Sequence, residues 1–308
     1  MSILRRFQKR FFKIQQKIQD LSYESHWYLR FGWLDQDFEN SQQLNHLFEI
    51  HSPEHFTFAD CFYAEHQDRH FIFFEEISAD HPVGFLSVVE IFKDGRYTVP
   101  KPILKLDYHL SYPCIFQVKN QWYMIPETTK NKTIELWKCT EFPDQWEKQC
   151  NLMENISAAD STPFFHNGIW YLFTSTKRQC KKFGDRLDLF YTQDILNPDW
   201  KEHPKNPVCS GVLQHRMAGK PFIYQNKLVR PSQDSIKRYG GKIQLNEILH
   251  LSPDDYQEQP LDKIKPDWNQ NDDGCHTIHI EGRFVVMDAI RLRKKNMKIN
   301  MNYETSDA

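Results

Sequence analysis

The stretch His109–Glu127 has the sequence HLSYPCIFQVKNQWYMIPE, and it is the unit from which most of the chain is built. It predicts a short apolar strand, a tight turn at Lys119–Gln121, and a second strand over 122–125 that ends in a polar residue. Related hairpins recur four more times along the chain, and they begin at Ala59, Asp160, Ala218 and Asp273.

Hairpins that recur at intervals of roughly 50 to 60 residues match the period of a four-stranded propeller blade. The predicted fold class is therefore all-β, a five-bladed β-propeller over residues 56–290. A single blade cannot bury both of its faces, whereas blades around an axis bury them against each other, and the aromatic content of 14% suits the wedge-shaped gaps. We expect most of these aromatic side chains to be core.

Three further segments complete the predicted organisation. Residues 1–22 form a basic amphipathic helix, residues 23–55 form a segment rich in Trp and Phe, and residues 291–308 form a basic and polar tail. We expect the part from Tyr23 to Phe38 to add a strand that closes the propeller. The tail is typical of a solvated terminus.

The basic helix is predicted from apolar residues at intervals of three and four, with six basic side chains against one acidic residue before residue 22. Such a helix can lie on an anionic membrane surface, or it can pack its apolar stripe on the propeller or on a partner subunit. Both alternatives remain open. The predicted location is the cytoplasm, with the first alternative placing the protein peripherally on the inner face of the cytoplasmic membrane.

Composition excludes several classes of function. A formal net charge of −2 gives no basic field for nucleic acid. The seven cysteines are dispersed without a C-x-x-C pair, which is typical of reduced thiols in a cytosolic protein. No window of about 18 apolar residues predicts a membrane span. The chain has no P-loop, no G-x-G-x-x-G and no metal-spaced Cys/His set, so no cofactor or metal is predicted, and an axial divalent cation has no support.

Aligning the five hairpins places one residue of each blade at a common level on the propeller axis. These residues are Asp60, Tyr112, Asp160, Gly219 and either Asp273 or Gly274. A ring of acids in apolar surroundings is unfavourable unless a cation, a proton or a substrate hydroxyl compensates it. We therefore predict a pocket with Asp60 and Asp160 as candidate catalytic residues. The alternative is that both are strand-end residues that only accept backbone hydrogen bonds.

Polar residues that adjoin these positions, or that end the second strands, complete the candidate site. Glu127 is the third candidate catalytic residue, because it follows Pro126 and is unusually polar for the end of a buried strand. The candidate substrate-binding residues are His109, Tyr112, Arg216, Lys220, Arg230, Gln233, Asp234, His276 and Asp288. For several of these, a capped strand end or a surface ion pair is an equally good interpretation.

The chain resembles the N-terminal propeller domain of plant glucosamine inositolphosphorylceramide transferases and of related bacterial proteins. The motifs that carry the resemblance are His109-Leu-Ser-Tyr-Pro, Phe142-Pro-x-x-Trp146, Asp160-Ser-Thr, His203-Pro-x-Asn-Pro207, Ala218-Gly-Lys, Arg230-Pro-Ser-Gln-Asp234, Tyr239-Gly240 and Gly274-Cys-His-Thr277. The resemblance implies work on glycans or glycolipids and a fold similar to the five-bladed glycoside hydrolases of the arabinanase and xylosidase group. In the plant proteins, a separate C-terminal domain looks like the glycosyltransferase.

The resemblance to the hydrolase group is incomplete at the catalytic residues. It implies a general base at Asp60 and an orienting carboxylate at Asp160, but the acid should fall near Ala218-Gly219, where no carboxyl group exists. Glycoside hydrolysis by the usual route requires both carboxyl groups. A donor with a phosphate leaving group requires positive charge instead, and Arg216, Lys220 and Arg230 are close in sequence.

The leading interpretation is a glycosyltransferase of bacterial surface-polysaccharide or glycolipid biosynthesis that uses a phosphate-activated sugar donor. Asp60 acts as the base toward the acceptor hydroxyl, Asp160 and Glu127 hold sugar hydroxyls, and Arg216 and Arg230 face the phosphate. The predicted partners are the sugar donor, a glycan or glycolipid acceptor and an anionic membrane surface contacted by residues 1–21. Two alternatives are a glycan-binding module without catalysis and a glycoside hydrolase with Glu127 or Glu75 as acid.

Overall fold

The computed structural model describes residues 22–178, 185–210, 215–236 and 238–295. The predicted N-terminal helix, apart from its last residue, and most of the predicted tail lie outside the described residues, so both stay predictions. Within the described ranges, no helix is both long enough and apolar enough to cross a lipid bilayer.

The described chain begins with two strands and a short helix between them. Strand β1 spans Tyr23–Trp33, a 3-10 helix spans Ser41–His46, and strand β2 spans Phe48–Ile50. Asn40 caps this helix, because its side chain accepts a hydrogen bond from the backbone N–H of Gln42.

Four antiparallel sheets follow in chain order, and the first strand of each lies nearest the axis. The first is β3 (Phe56–His66), β4 (Arg69–Ser78), β5 (His81–Ile91) and β6 (Lys101–Leu104). The second is β7 (Ser111–Val118), β8 (Gln121–Glu127), β9 (Thr133–Glu141) and β10 (Gln145–Glu154), with a 3-10 turn at Thr129–Asn131. The third is β11 (Ala158–His166), β12 (Ile169–Thr176), β13 (Arg186–Thr192), β14 (Lys201–Glu202) and β15 (Cys209–Ser210). The fourth is β16 (Phe222–Tyr224), β17 (Lys227–Gln233), β18 (Ile243–Leu251) and β19 (Tyr256–Ile264).

The fifth blade joins the two ends of the described chain. It contains β20 (Asp272–Gly274), β21 (Ile278–Glu281) and β22 (Phe284–Lys294), followed by β1 and β2. Strand β1 pairs with β22 along its whole length, from Tyr23 opposite Lys294 to Trp33 opposite Phe284. This confirms both the five-bladed propeller and the prediction of a closing strand, and it makes the aromatic segment part of the fifth blade.

Aromatic side chains fill the gap between the first and second blades. The Phe142 ring lies 5.1 Å from the ring of Phe71 and 5.9 Å from that of Phe73. Trp146 lies 5.9 Å from Phe73, and its indole N–H donates to the Pro143 carbonyl at 2.8 Å. The Phe-Pro-x-x-Trp motif is therefore a packing element that joins neighbouring blades.

A bulge interrupts the innermost strand of the first three blades at the same level of the axis. In the first blade, Ala59 pairs with Glu75 and Phe62 pairs with Phe73. Two residues of β3 therefore lie opposite a single residue of β4. Asp60, Tyr112 and Asp160 have φ values of 54°, 47° and 53°, which residues other than glycine rarely adopt. Bulges re-aim side chains and recur next to functional sites, so the backbone itself directs these three residues to the axis.

The fourth blade carries Gly219 at this level, with φ of 130°. A Cβ added at Gly219 would lie 1.8 Å from the backbone oxygen of Ile278, which belongs to the fifth blade. The adjacent Ala218 carbonyl accepts a hydrogen bond from Ile278 N–H at 2.7 Å. A glycine is therefore required where the fourth and fifth blades meet at the axis.

In the fifth blade, the structure corrects the repeat alignment. Gly274 pairs with Ile290 and Ile278 pairs with Met287, so the irregularity lies at residues 275–277. His276, rather than Asp273 or Gly274, thus occupies the position that corresponds to Asp60. Asp273 instead forms an ion pair with Arg238. The fifth blade therefore contributes a histidine, and not a carboxylate, at this level of the axis.

Candidate functional site

Tyr112 closes the propeller axis beside the carboxylates. Its side chain is fully buried, and its hydroxyl lies 2.8 Å from Thr162 Oγ1 of the third blade. The same hydroxyl accepts a hydrogen bond from Gly219 N–H of the fourth blade at 3.0 Å. Tyr112 therefore spans the hub from the second blade and fixes three blades at the level of the bulges. Its hydroxyl is therefore engaged in holding the hub together.

Asp160 is a fully buried carboxylate with several hydrogen-bond donors. Arg216 contacts both carboxylate oxygens, with Nη2 at 2.8 Å from Oδ1, and Gln233 Nε2 donates to Oδ2 at 3.2 Å. This two-pronged contact suits the planar guanidinium. Asp160 and Arg216 thus form an ion pair in which the Arg216 side chain remains 19% exposed.

Glu127 lies beside this ion pair at the end of β8. Its Oε2 accepts a hydrogen bond from Asp160 N–H at 3.3 Å and lies 3.5 Å from Arg216 Nη2. Burial and the nearby Asp160 charge outweigh the attraction of Arg216 and raise the pKa of Glu127 to about 8. Glu127 therefore carries a proton near neutral pH, and 15% of its side chain is exposed. Its carboxyl group can donate a proton to a bound molecule.

Replacing Glu127 with glutamine is expected to stabilise the protein at pH 8 by roughly 4 kcal/mol. The pKa of Glu127 is raised from 4.5 to about 8, so the folded state binds its proton more tightly than the unfolded state. Stability is therefore lost as pH rises between these values, and glutamine removes that loss. Denaturant unfolding near pH 4 and pH 8 measures the difference, which should vanish near pH 4.

The matched control for this prediction is Glu147→Gln, since Glu147 belongs to the same blade and is exposed. It should change stability little at either pH. A Glu127→Gln protein with the same unfolding free energy as the wild type at both pH values would show that Glu127 is ordinarily ionised.

Asp60 belongs to a second buried group together with His276 and Asp288. Asp60 Oδ1 accepts a hydrogen bond from Thr277 Oγ1 at 2.9 Å and lies 3.4 Å from His276 Nε2. Asp288 Oδ2 accepts from Asp60 N–H at 3.1 Å and lies 2.5 Å from His276 Nδ1. The imidazole therefore lies between two carboxylates, with one ring nitrogen toward each.

The charges of this group follow from its burial and its ion pairs. Burial raises the pKa of Asp60 to about 7, against the attraction of His276. Burial alone would lower the pKa of His276, but Asp288 and Asp60 raise it to about 9. Asp288 accepts hydrogen bonds from the backbone N–H of His276 and Thr277 at 2.8 and 3.1 Å. His276 is thus a cation near neutral pH, and Asp60 titrates in the range where a general base works well.

The same three residues bring one possible metal-ligand atom each within 4.8 Å of one another. A histidine binds a metal only as the neutral imidazole, and both ring nitrogens of His276 already face carboxylates. The residues present therefore fit a proton-sharing ion-pair network better than a metal centre.

Trp27 and Tyr239 were missed by sequence reasoning, and both lie beside His276. The Trp27 ring lies 4.6 Å from the His276 ring, and the Tyr239 ring lies 5.2 Å from it. Tyr239 is 53% exposed, and the Arg216 guanidinium lies 5.8 Å from its ring. Trp27 arrives on the closing strand β1. Tyr239 belongs to the motif Tyr239-Gly240, but its sequence context offered no chemical reason to predict it as a site residue.

Several predicted contacts are not at the hub. Arg230 is fully buried and binds Glu258 through two hydrogen bonds of 2.7 and 2.6 Å, so the prediction that it faces a substrate phosphate is corrected. Asp234 faces the lysines of its own blade, with Lys263 Nζ at 3.1 Å and Lys242 Nζ at 3.8 Å.

Among the described residues, Lys220 forms no ion pair with the hub carboxylates. Its charge acts on Cys114 and His279, which follow Tyr112 and His276 along the innermost strands. Of Arg216 and Arg230, the two residues predicted to face a phosphate, Arg216 lies at the carboxylates. His109, Gln233, His276 and Asp288 do lie at the hub, as predicted, although their roles toward a substrate stay predictions.

Fold and site together define a five-bladed β-propeller with an acidic hub. Its backbone is similar to that of a family 117 glycoside hydrolase from Zobellia galactanivorans, with a TM-score of 0.54, 10% identity and coverage of 87% of this chain and 90% of that chain. It is also similar to an exo-β-1,3-galactanase from Phanerochaete chrysosporium, with a TM-score of 0.51, 13% identity and coverage of 68% and 47%. At these identities the likeness shows the fold alone.

The sequence comparisons show the family. The family described as "Glucosamine inositolphosphorylceramide transferase 1, N-terminal" matches residues 45–293, and the chain belongs to it. Relatives named glucosamine inositolphosphorylceramide transferase 1 are 33% identical over 260 residues in Oryza sativa subsp. japonica and 31% identical over 211 residues in Arabidopsis thaliana. The matches cover 78% and 67% of this chain, but 34% and 27% of those proteins, so the chain spans about a third of their length. The resemblance seen in the sequence is confirmed.

Proposed function

We propose that the hub binds a sugar and that the chain takes part in glycosyl transfer during glycolipid or surface-polysaccharide assembly. The observation that carries the proposal is the pair of buried carboxyl groups, Asp60 and Glu127, whose pKa values of about 7 and 8 suit proton transfer near neutral pH. The related plant proteins are named as transferases, which supports transfer of a sugar rather than its hydrolysis.

In the proposed reaction, Asp60 takes the proton from the acceptor hydroxyl while that oxygen forms a bond to the anomeric carbon of the donor. The bond between this carbon and the leaving oxygen breaks at the same time. A phosphate leaves as an anion without a proton, and Arg216 is the basic residue placed to contact it. An alkoxide leaving group instead takes a proton, which Glu127 can supply.

Asp160 orients both catalytic partners in this scheme. It fixes Arg216 through both carboxylate oxygens, and its backbone N–H holds Glu127 Oε2. Other carboxylate and amide groups at the hub can bind sugar hydroxyls. Gln233 is one of them, and its amide already donates a hydrogen bond to Asp160 at 3.2 Å. The exposed ring of Tyr239 offers an apolar surface for the sugar ring.

Glycoside hydrolysis is the second candidate function, because Glu127 carries the proton that the hydrolase resemblance lacked near Gly219. In that reaction, water replaces the acceptor hydroxyl, Asp60 takes a proton from the water and Glu127 protonates the leaving oxygen.

One assay separates the candidates. The full chain is incubated with membrane lipid extract, a panel of nucleotide sugars and a panel of oligosaccharides, and the products are identified by mass spectrometry. A lipid whose mass increases by one sugar supports transfer, and release of reducing sugar supports hydrolysis. Saturable sugar binding with no product in any arm would contradict both reactions and leave a glycan-binding module.

Replacing Tyr239 with alanine is expected to weaken sugar binding at the hub by roughly three- to tenfold, the effect of losing an aromatic contact of about 1 kcal/mol. Isothermal titration calorimetry with the sugar found in the assay measures the change. The matched control is Tyr97→Ala, since Tyr97 is 40% exposed on the first blade, away from the hub. Equal losses in both variants would remove Tyr239 from the sugar site.

A further inference from the structure

The two ends of the propeller differ in charge. The hub lies toward the end where the second strands of the blades finish, since Glu127 is the last residue of β8 and Gln233 is the last residue of β17. We call this end the hub face and the opposite end the far face. Because antiparallel strands alternate in direction, connections after the second and fourth strands lie on the hub face, and those after the first and third strands lie on the far face.

The far face is rich in exposed acidic residues. Those on its connections include Asp35, Asp37, Glu39, Asp68, Asp94 and Asp254. Two of its exposed basic residues are paired within the face, because Arg96 Nε lies 2.7 Å from Asp94 Oδ2 and Arg283 Nε lies 3.9 Å from Asp37 Oδ1. Lys93 and Lys119 are its remaining exposed lysines. An anionic surface would therefore repel the far face.

The hub face has the opposite character. Lys130 and Lys132 follow β8, Lys265 follows β19, and Arg293 and Lys294 end β22, and all five are exposed. Among the described residues, none of them forms an ion pair with an acidic side chain, although Glu54, Asp80, Asp107 and Asp267 are exposed on the same face. These five positive charges are therefore available to a partner.

The fifth blade extends well beyond the hub on this face. Asp288 lies at the level of the hub, because its carboxylate accepts a hydrogen bond from Asp60 N–H, and β22 continues beyond it to Lys294. These additional residues give a strand length of roughly 20 Å at about 3.3 Å per residue. β1 pairs with this extension as far as Tyr23, opposite Lys294.

The tip of this extension is positively charged. Arg293, Lys294 and Lys295 are exposed there, with Glu24 opposite Arg293 in the strand register. The tip is therefore a basic projection beside the hub, held by the β1–β22 ladder.

Exposed apolar side chains lie on the same face. Ile236 is 55% exposed and Tyr239 is 53% exposed, and both belong to the connection between β17 and β18. Basic residues combined with exposed aliphatic and aromatic side chains are typical of surfaces that lie in the headgroup layer of a membrane. A soluble polyanion would attract the charges, but burial of Ile236 requires an apolar layer as well.

We propose that the hub face docks on an anionic lipid surface, with the tip of β1 and β22 in the headgroup layer. Charge complementarity selects this face over the far face. The inference deepens the proposed function, on which it rests for the acceptor: a glycolipid in that surface would present its head group to Asp60 and Glu127. The docking itself requires only the charges and exposed side chains of the hub face.

Sedimentation of the full chain with vesicles tests the docking without a sugar. The vesicles contain phosphatidylcholine with or without phosphatidylserine. The double variant Arg293→Gln/Lys294→Gln is expected to bind the phosphatidylserine vesicles roughly 20-fold more weakly than the wild type, about fivefold for each removed charge. The matched control removes two exposed lysines of the far face, Lys93→Gln/Lys119→Gln, and should bind as the wild type does. Residues 1–21 are unchanged in every variant, so the comparison does not depend on them.

Lysine labelling of the wild type tests the orientation. A water-soluble amine-reactive reagent is applied with and without the phosphatidylserine vesicles, and the modified lysines are identified by mass spectrometry. Vesicles should protect Lys130, Lys132 and Lys294 on the hub face and leave Lys93 and Lys119 on the far face fully reactive.

Three results would overturn the proposal: no binding to the phosphatidylserine vesicles, equal losses in the two double variants, or protection of the far-face lysines. Binding to a soluble anionic polysaccharide without binding to vesicles would also overturn the lipid partner. Vesicle binding that passes these tests, in a protein that transfers no sugar, would support the docking and count against the proposed function. Sugar transfer to a soluble acceptor without vesicle binding would do the reverse.

Discussion

Asp60→Asn is expected to lower the turnover number of the proposed transfer by roughly 10²- to 10⁴-fold, the usual contribution of a general base. Asparagine keeps an oxygen that can accept the hydrogen bond from the Thr277 hydroxyl, which lies 2.9 Å from Asp60 Oδ1. The variant should therefore fold. It cannot take a proton from an acceptor. Initial rates under saturating donor and acceptor measure the loss, and circular dichroism confirms the fold.

The matched control is Asp273→Asn. The repeat alignment puts Asp273 at the position of Asp60, whereas the structure pairs it with Arg238 and puts His276 at the hub. The control should retain a rate close to that of the wild type. A folded Asp60→Asn protein with wild-type turnover would remove Asp60 from the mechanism, and an inactive Asp273→Asn protein would contradict the register of the fifth blade.

The fold could be predicted from the sequence because the repeat is local. Each hairpin contains its own turn and its own alternation of apolar residues, as His109–Glu127 shows, and five copies determine a closed ring. The common axial level of Asp60, Tyr112 and Asp160 was predicted by aligning these hairpins, whereas the bulges that place them there were not. The fifth position was wrong, because β20 and β21 are separated by an irregular segment whose register depends on pairing with β22.

The rest of the site depends on contacts between distant parts of the chain. Trp27 reaches His276 only because β1 pairs with β22 from the other end of the chain. Arg216 and Arg230 are near in sequence, but strand register turns one toward Asp160 and the other toward Glu258. A run of basic residues in a sequence therefore did not predict a basic surface. Neither the protonation of Glu127 nor that of His276 could be inferred before their neighbours were known.

The ion pair of Arg216 combines stability and function at the hub. Removing Arg216 leaves the fully buried Asp160 carboxylate without its cation and takes from Glu127 the one group that lowers its pKa. Asp160 and Glu127 would then lie beside Asp60 and Asp288, with the His276 imidazolium as the remaining cation of this group of residues. An uncompensated buried charge is far more costly than a broken surface pair.

Arg216→Met is therefore expected to lower the free energy of unfolding by about 3 to 5 kcal/mol near neutral pH, since methionine fills the space without the charge. Denaturant unfolding measures the loss. The matched control is Arg69→Met, whose ion pair with Glu90 at 2.6 Å is exposed and should be worth less than about 1 kcal/mol. Adding Asp160→Asn to Arg216→Met removes the uncompensated charge and should restore part of the stability. If Arg216→Met costs no more than Arg69→Met, or if the double variant is less stable than Arg216→Met, the pair does not stabilise the hub by charge.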